Sequence, residues 1–337
     1  MKQKNYSLVN DMKKNYPKHP LISVVIPVFN EEKFIGETLR NLLEQDFNNF
    51  EIIVVDNNST DKTVEMAKKF GAIVFSEKNQ GVVLARQKGF LKAKGKIIAS
   101  TDADTILPKN WLSKIFGEFK KDENLVAFGG SCYFYSGPIL VRLVSQHLLT
   151  LFLIFDKFFS GGWNLMGCNM AIRKEVFLKI GGFNTNLKIN EESEISSRLR
   201  EVGKVILNPN FKVKTSGRRY RHGLIFGLID YVPSTFFRWI FRKYDKFQKF
   251  PPVRKEESLV GKFSFPIISL FVFLFFLFHL STPKVVLAKN LIKRDLNKVV
   301  FVEKRIKNGI ENDLGKIKNF KIKNGKRNLF DLRRWAK

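Results

Sequence analysis

Cysteine is nearly missing from this 337-residue chain: Cys132 and Cys168 are the only two. That number excludes a disulfide-stapled scaffold and a cysteine zinc site. Histidine is as sparse, and His19, His147, His222 and His279 are too dispersed to suggest a histidine metal cluster. His222 alone stands beside charges and reads as part of a solvated or lipid-facing loop. No apolar signal-peptide core precedes the first regular segment, so a reducing, cytosol-facing location is expected. Neither a Gly-x-Gly-x-x-Gly turn nor a Gly-Lys-Ser/Thr loop follows the first apolar run, which argues against the two familiar nucleotide folds. Acidic charge is also short, with 31 Asp plus Glu against 59 Lys plus Arg and a net charge of +28. What is present, 44% hydrophobic and 27% charged residues, excludes intrinsic disorder.

The excess positive charge calls for an anionic partner, and its distribution indicates which one. Residues 21–110 carry 12 basic and 12 acidic side chains, whereas residues 212–262 sum to +9 and residues 284–337 to +12. Between the two basic blocks lies Phe263 to Leu280, 18 residues with seven phenylalanines and no formal charge. Basic blocks flanking an apolar segment suit an anionic lipid surface. Nucleic-acid binding would instead interleave aromatic and basic residues, so no nucleic-acid partner is expected. The resulting organisation is a tail over 1–20, a catalytic-type domain over 21–210, a basic amphipathic linker over 211–262, a transmembrane or re-entrant helix over 263–281 and a basic tail over 282–337. Residues 138–159 are apolar but interrupted by Arg142, Gln146, His147 and Asp156, the pattern of a core or in-plane helix rather than a span.

Within 21–110 the pattern alternates regularly. Strands are expected over 21–29, 51–56, 72–76 and 96–101, and helices over 31–44, 61–70 and 81–94, with Ser59 or Thr60 capping the second helix and Gly71 and Gly95 ending the second and third. Strands apolar throughout, alternating with helices, predict an α/β domain with a mostly parallel sheet covered on both faces. Ligands of such sheets bind at the carboxyl ends of the strands. Those ends carry Pro27 to Glu32, Asp56 to Asp61, and Asp102-Ala103-Asp104. Two carboxylates two residues apart suit a hard divalent cation that also holds substrate phosphates. Asp56 suits either a turn or a hydrogen bond to a nucleoside.

These motifs carry a resemblance. V-V-I-P-V-F-N-E-E, V-V-D-N-N-S-T-D, N-Q-G-V-V-L-A-R-Q-K-G-F and D-A-D, followed by Gly167 to Phe177, Gly181-Gly182-Phe183 and Glu191-Glu192-Ser193-Glu194, resemble in order the family 2 glycosyltransferases of GT-A fold. The resemblance covers about 185 residues and fades after Leu207. It implies transfer of a sugar from a nucleotide-diphosphate donor, usually with inversion. Pro27, Asn30, Glu31 and Asp56 would line the nucleoside, with Arg86 near the phosphates. Asp102 would touch the donor and, with Asp104, hold Mg²⁺ or Mn²⁺. The family's base is usually the Asp of a Glu-Asp pair, a position that Glu192 takes here, beside Glu191.

Arg218, Arg219 and Trp163 are candidate phosphate or acceptor contacts, and Gly161-Gly162-Trp163 and Trp111 could border the acceptor. Thr235 to Trp239 lacks the Gln of the Gln-x-x-Arg-Trp of processive synthases, so Arg238 and Trp239 are expected as interfacial anchors. The expectation is a membrane-associated enzyme with its catalytic domain facing the cytosol and a lipid-linked or cell-surface glycan acceptor. Alternatives are a polyprenyl-phosphate glycosyltransferase, whose acceptor is already ionised, and a non-catalytic basic membrane-binding protein on a degenerate transferase fold. A nucleotidylyltransferase would open instead with a Gly-rich, Arg-containing loop.

Overall fold

Seven buried residues in a row, Ile22–Val28, form the first strand, β1, and the second, β2 (Phe50–Asp56), is buried throughout as well. The computed structural model describes residues 16–220 with Thr235, Arg238, Trp239 and Tyr244; the expected 263–281 segment and the basic tail lie outside the described residues, as does His222. Strands buried on both faces need cover on both, and side chains alternate between them. Val24, Ile26, Ile52 and Val54 enter one core cluster, whereas Val25, Ile53 and Val55 enter the other. On the first face lie α1 (Ile35–Leu43), α2 (Thr63–Lys69) and α4 (Trp111–Lys121). On the second lie α3 (Val82–Lys92), α6 (Lys174–Lys179) and α7 (Glu191–Val202). Each fully buried Val, Leu or Ile contributes about 1.5–3 kcal/mol relative to an exposed one.

The remaining strands are β3 (Ile73–Ser76), β4 (Ile97–Ser100), β5 (Thr105–Ile106), β6 (Leu125–Phe134), β7 (Met170–Arg173) and β8 (Lys204–Thr215). The eight-stranded sheet runs β3-β2-β1-β4-β7-β6-β8-β5. Pairing is parallel from β3 through β4, but β7 is antiparallel to both β4 and β6, and β5 to β8. The expected mostly parallel sheet is therefore mixed. Regular strand–helix alternation, the signal for parallel pairing, stops after β4, and β7 is reached only after the 22-residue helix α5 (Ile139–Ser160).

Local ends differ from expectation for identifiable reasons. The first helix begins at Ile35 instead of Glu31, because the preceding residues are tied to the next loop: Glu31 N donates to Thr63 Oγ1 at 2.7 Å and Glu32 N to Asp61 Oδ2 at 3.2 Å. Ser59 and Thr60 do not cap α2; Ser59 Oγ accepts from Asn30 N, and Thr60 N donates to Asn30 Oδ1. α3 ends at Lys92, before Gly95. The sheet does not stop at 210 either, since β8 continues to Thr215 and its last residues pair with β5. Among the described residues no helix is long and apolar enough to cross a membrane.

Candidate active site

Strand order reverses beside β1, whose neighbours are β2 and β4, and a crevice at the carboxyl ends follows from that topology. Pro27 marks where it opens. Val25 O accepts Thr101 N at 3.2 Å, so Val25 faces the β4 side, and Pro27, two residues on, faces the same way. Proline has no N–H to give, and the β1–β4 register has already ended at Val25 and Ser100. The gap beyond it is taken by the turn holding Asp102 and Asp104.

Asn30 and Asn58 adopt left-handed backbone conformations, with φ of 53° and 67°, at the ends of β1 and β2. Asparagine tolerates this region better than most residues. Asn30 joins the two loops by the bonds given above, and Asp56 Oδ1 accepts Ser59 N at 3.2 Å. The turn reading of Asp56 is thus realised in the geometry, at a position still on the crevice.

Asp104 is fixed from three sides. Thr38 Oγ1 of α1 lies 2.8 Å from Ala103 O and 3.0 Å from Thr105 O, holding the Asp-Ala-Asp turn to the helix. Thr215 Oγ1 donates to Asp104 Oδ1 at 3.3 Å, and Arg218 Nη2 lies 3.0 Å from Asp104 Oδ2. Arg218 also makes a two-pronged bond to Glu31, at 2.7 and 2.8 Å, and stacks 4.9 Å over the Phe34 ring. Burial pushes the Asp104 carboxyl up to about 6, against the opposing pull of Arg218. This clasp spans 187 residues of sequence between Glu31 and Arg218, and no local motif announces it. Arg219 lies beside it in the 3₁₀ turn Arg218–Tyr220.

Among the described residues, no three acidic, histidine or cysteine side chains converge as a metal cage. The donor set nevertheless fits Mg²⁺ or Mn²⁺ held jointly with a ligand. Such ions take one or two carboxylates, with the remaining positions filled by water and phosphate oxygens. A guanidinium already stands in as the cation between Glu31 and Asp104, and the Asp102 side chain is 40% exposed toward the crevice.

Arg86, expected beside donor phosphates, forms a buried hub next to Asp102. Its Nη1 donates to Glu191 Oε1 at 2.9 Å and Glu192 Oε1 at 3.2 Å, and its Nη2 lies 3.4 Å from Asp102 Oδ1. One guanidinium thus joins the Asp-Ala-Asp turn to the first turn of α7. Sequence could not separate the two glutamates, but burial does: the Glu191 side chain is 6% exposed and that of Glu192 is 24% exposed. Burial, and next the charge of Glu192, push the Glu191 carboxyl up against the pull of Arg86. Asn190, in a left-handed conformation with φ of 65°, sets the start of α7.

Gly167 is required for this hub. A Cβ added there would lie 2.4 Å from Glu192 Oε1 and 2.5 Å from Arg86 Nη2. Gly167→Ala is therefore expected to displace both side chains and to lower melting stability by about 1–3 kcal/mol, with loss of whatever turnover depends on Glu192. A variant with wild-type melting temperature and turnover would show that the hub has slack.

Other expectations are redistributed. Trp111 is wholly buried, and its Nε1 donates to Asn169 Oδ1 at 2.9 Å, so it cannot border an acceptor. Trp163 is partly exposed; its carbonyl accepts Arg200 Nη1 at 2.6 Å, and Lys157 Nζ lies 4.4 Å over its ring. Arg238 and Trp239, expected as interfacial anchors, both donate to Asp156 Oδ1 at 2.8 Å, with Arg238 and Asp156 buried. A buried carboxylate recruits such donors because leaving it without them is costly.

A mixed sheet with a switch-point crevice, rimmed by acids from four separate chain segments, defines the α/β domain. Residues 23–181 match the glycosyl transferase family 2 model, and this segment belongs to that family. An uncharacterized glycosyltransferase of Rickettsia bellii is 26% identical over 251 residues, 68% of this chain and 35% of the relative. The putative teichuronic acid biosynthesis glycosyltransferase TuaG of Bacillus subtilis is 34% identical over 101 residues, 28% of this chain and 40% of the relative. The chain thus spans well under half the length of these curated relatives. The mannosyltransferase PcManGT of Pyrobaculum calidifontis, solved with GDP-Man and Mn²⁺, superposes with a TM-score of 0.54 at 20% identity, covering 86% of this chain and 87% of that one. That likeness establishes the GT-A glycosyltransferase fold.

Proposed function

We propose that the protein transfers a sugar, with inversion, from a nucleotide-diphosphate donor to a hydroxyl of a lipid-linked or cell-surface glycan. The observation that carries this reading is the link through Arg86 between Asp102, on the donor side, and Glu192, at the position of the family's base. Asp102 and Asp104 would hold Mg²⁺ or Mn²⁺, which would supply positive charge to a departing nucleotide diphosphate. Glu192 accepts the proton of the acceptor hydroxyl as its oxygen attacks the anomeric carbon from the face opposite the diphosphate. Arg86 holds that carboxylate in place, and Glu191 balances Arg86 from beneath. A cell-envelope glycan as acceptor is supported by the likeness to TuaG, and attachment to an anionic membrane by the basic blocks around residues 263–280.

The test is a thermal-shift screen of nucleotide-diphosphate sugars with and without Mn²⁺, followed by turnover of the stabilising donor. One donor that raises the melting temperature only with metal is expected. No stabilisation by any nucleotide sugar would refute the reading and favour a non-catalytic membrane-binding role.

A further inference from the structure

We infer that α5 lies in the plane of an anionic bilayer and meets it through a defined apolar stripe. Phe152, 43% exposed, lies on another side of α5 beside Trp239, whereas Ile139, Leu143, Leu151, Ile154 and Phe158 are 71, 51, 46, 45 and 42% exposed. At 3.6 residues per turn they fall on one face about 120° wide. Val141, Ser145 and Asp156 turn inward and are buried. His147 and Thr150 fall on the same face between Leu143 and Leu151, so the apolar contact is made by Ile139 and Leu143 at one end and by Leu151, Ile154 and Phe158 at the other.

Charge selects the occupant. The helix carries three formal charges, Arg142, Asp156 and Lys157. Asp156 is buried and bonded to Arg238, so the outward surface presents only Arg142 and Lys157, both exposed along one border of the stripe. An apolar band with a cationic edge matches the boundary between acyl chains and anionic headgroups. A second copy fits less well, because two chains of net charge +28 repel and would set these cations against each other.

The helix also has a direct route to the site. Residues 161–166 run from its end to Gly167, which abuts Glu192 and Arg86. Six residues of chain thus separate the end of α5 from the glycine that packs against Glu192. The inference rests on the membrane attachment proposed above, and it adds which surface makes the contact.

The experiment places an environment-sensitive nitrobenzoxadiazole label at Leu151→Cys in the full chain, with Lys68→Cys on the exposed side of α2 as control. Cys132 and Cys168 are buried, so labelling of the native protein is confined to the introduced thiol. Vesicles of phosphatidylcholine alone, or with anionic phosphatidylglycerol, are added, and emission and co-sedimentation are read together. The expected result is at least a twofold rise and a blue shift at position 151 with anionic vesicles, and neither at position 68. Co-sedimentation without a response at 151 overturns the role of α5 and leaves membrane attachment standing. No co-sedimentation overturns both. An emission at 151 already blue-shifted without vesicles overturns the inference too. If that shift varies with protein concentration, the cover is a second copy; if it does not, the cover is another part of this chain.

Discussion

Asp102→Asn and Asp104→Asn should each lower sugar transfer by roughly 10²–10³-fold, the loss seen when one group that stabilises developing transition-state charge is removed. Metal-dependent nucleotide binding should weaken in parallel. Neither change should unfold the protein, and the geometry explains why. In Asp104→Asn, Arg218 keeps both bonds to Glu31. Because burial raises the Asp104 carboxyl to about 6 against an ordinary value near 4, ionisation there opposes folding at neutral pH. The isosteric amide removes that penalty, so the melting temperature at pH 8 should stay level or rise, and any gain should fade as pH falls through about 6 and be gone by about pH 4. In Asp102→Asn, Arg86 retains Glu191 and Glu192. Turnover at wild-type level in either variant, with circular dichroism unchanged, would remove the cation role from the Asp-Ala-Asp turn.

The chain's local grammar carried the first half of the fold. β1 through β4 are apolar runs with turn residues between them, and each lies within a residue or so of where periodicity puts it. What could not be read is contact across long separations. Nothing near Arg218 says that it reaches Glu31 and Asp104, and nothing near Arg86 says that its guanidinium turns inward to three carboxylates rather than outward to a ligand. The antiparallel insertion of β7 is equally silent, because four residues, Met-Ala-Ile-Arg, pair equally well in either direction until α5 and the following loop set which way the chain returns. The candidate acids were recognisable from residue type and position after a strand. Their division of labour comes from burial, a property of the whole sheet.

Glu192→Gln should reduce turnover by roughly 10²–10⁴-fold at saturating donor while donor affinity stays nearly constant, because a carboxamide cannot take the proton of an attacking hydroxyl. Glu191→Gln is the informative contrast. Burial already holds the Glu191 carboxyl toward its neutral form, and the amide oxygen can still accept from Arg86, so stability at neutral pH should change by less than about 1 kcal/mol, with turnover falling only as far as a displaced Arg86 disturbs Glu192. An already ionised phosphate acceptor needs no base; in that case Glu192→Gln would cost little, or even help, and Glu192→Asp would be tolerated. Local charge favours the hydroxyl. Arg86 faces three carboxylates, Asp102, Glu191 and Glu192, so this side of the crevice is rich in negative charge. Of the cations that could screen an anionic acceptor, Arg218, Arg219 and a bound metal, Arg218 is already bonded to Glu31 and Asp104. An incoming phosphate would meet repulsion that a neutral hydroxyl does not. Near-normal turnover of Glu192→Gln, with donor binding measured in parallel, would exclude the general-base role and point to the phosphate.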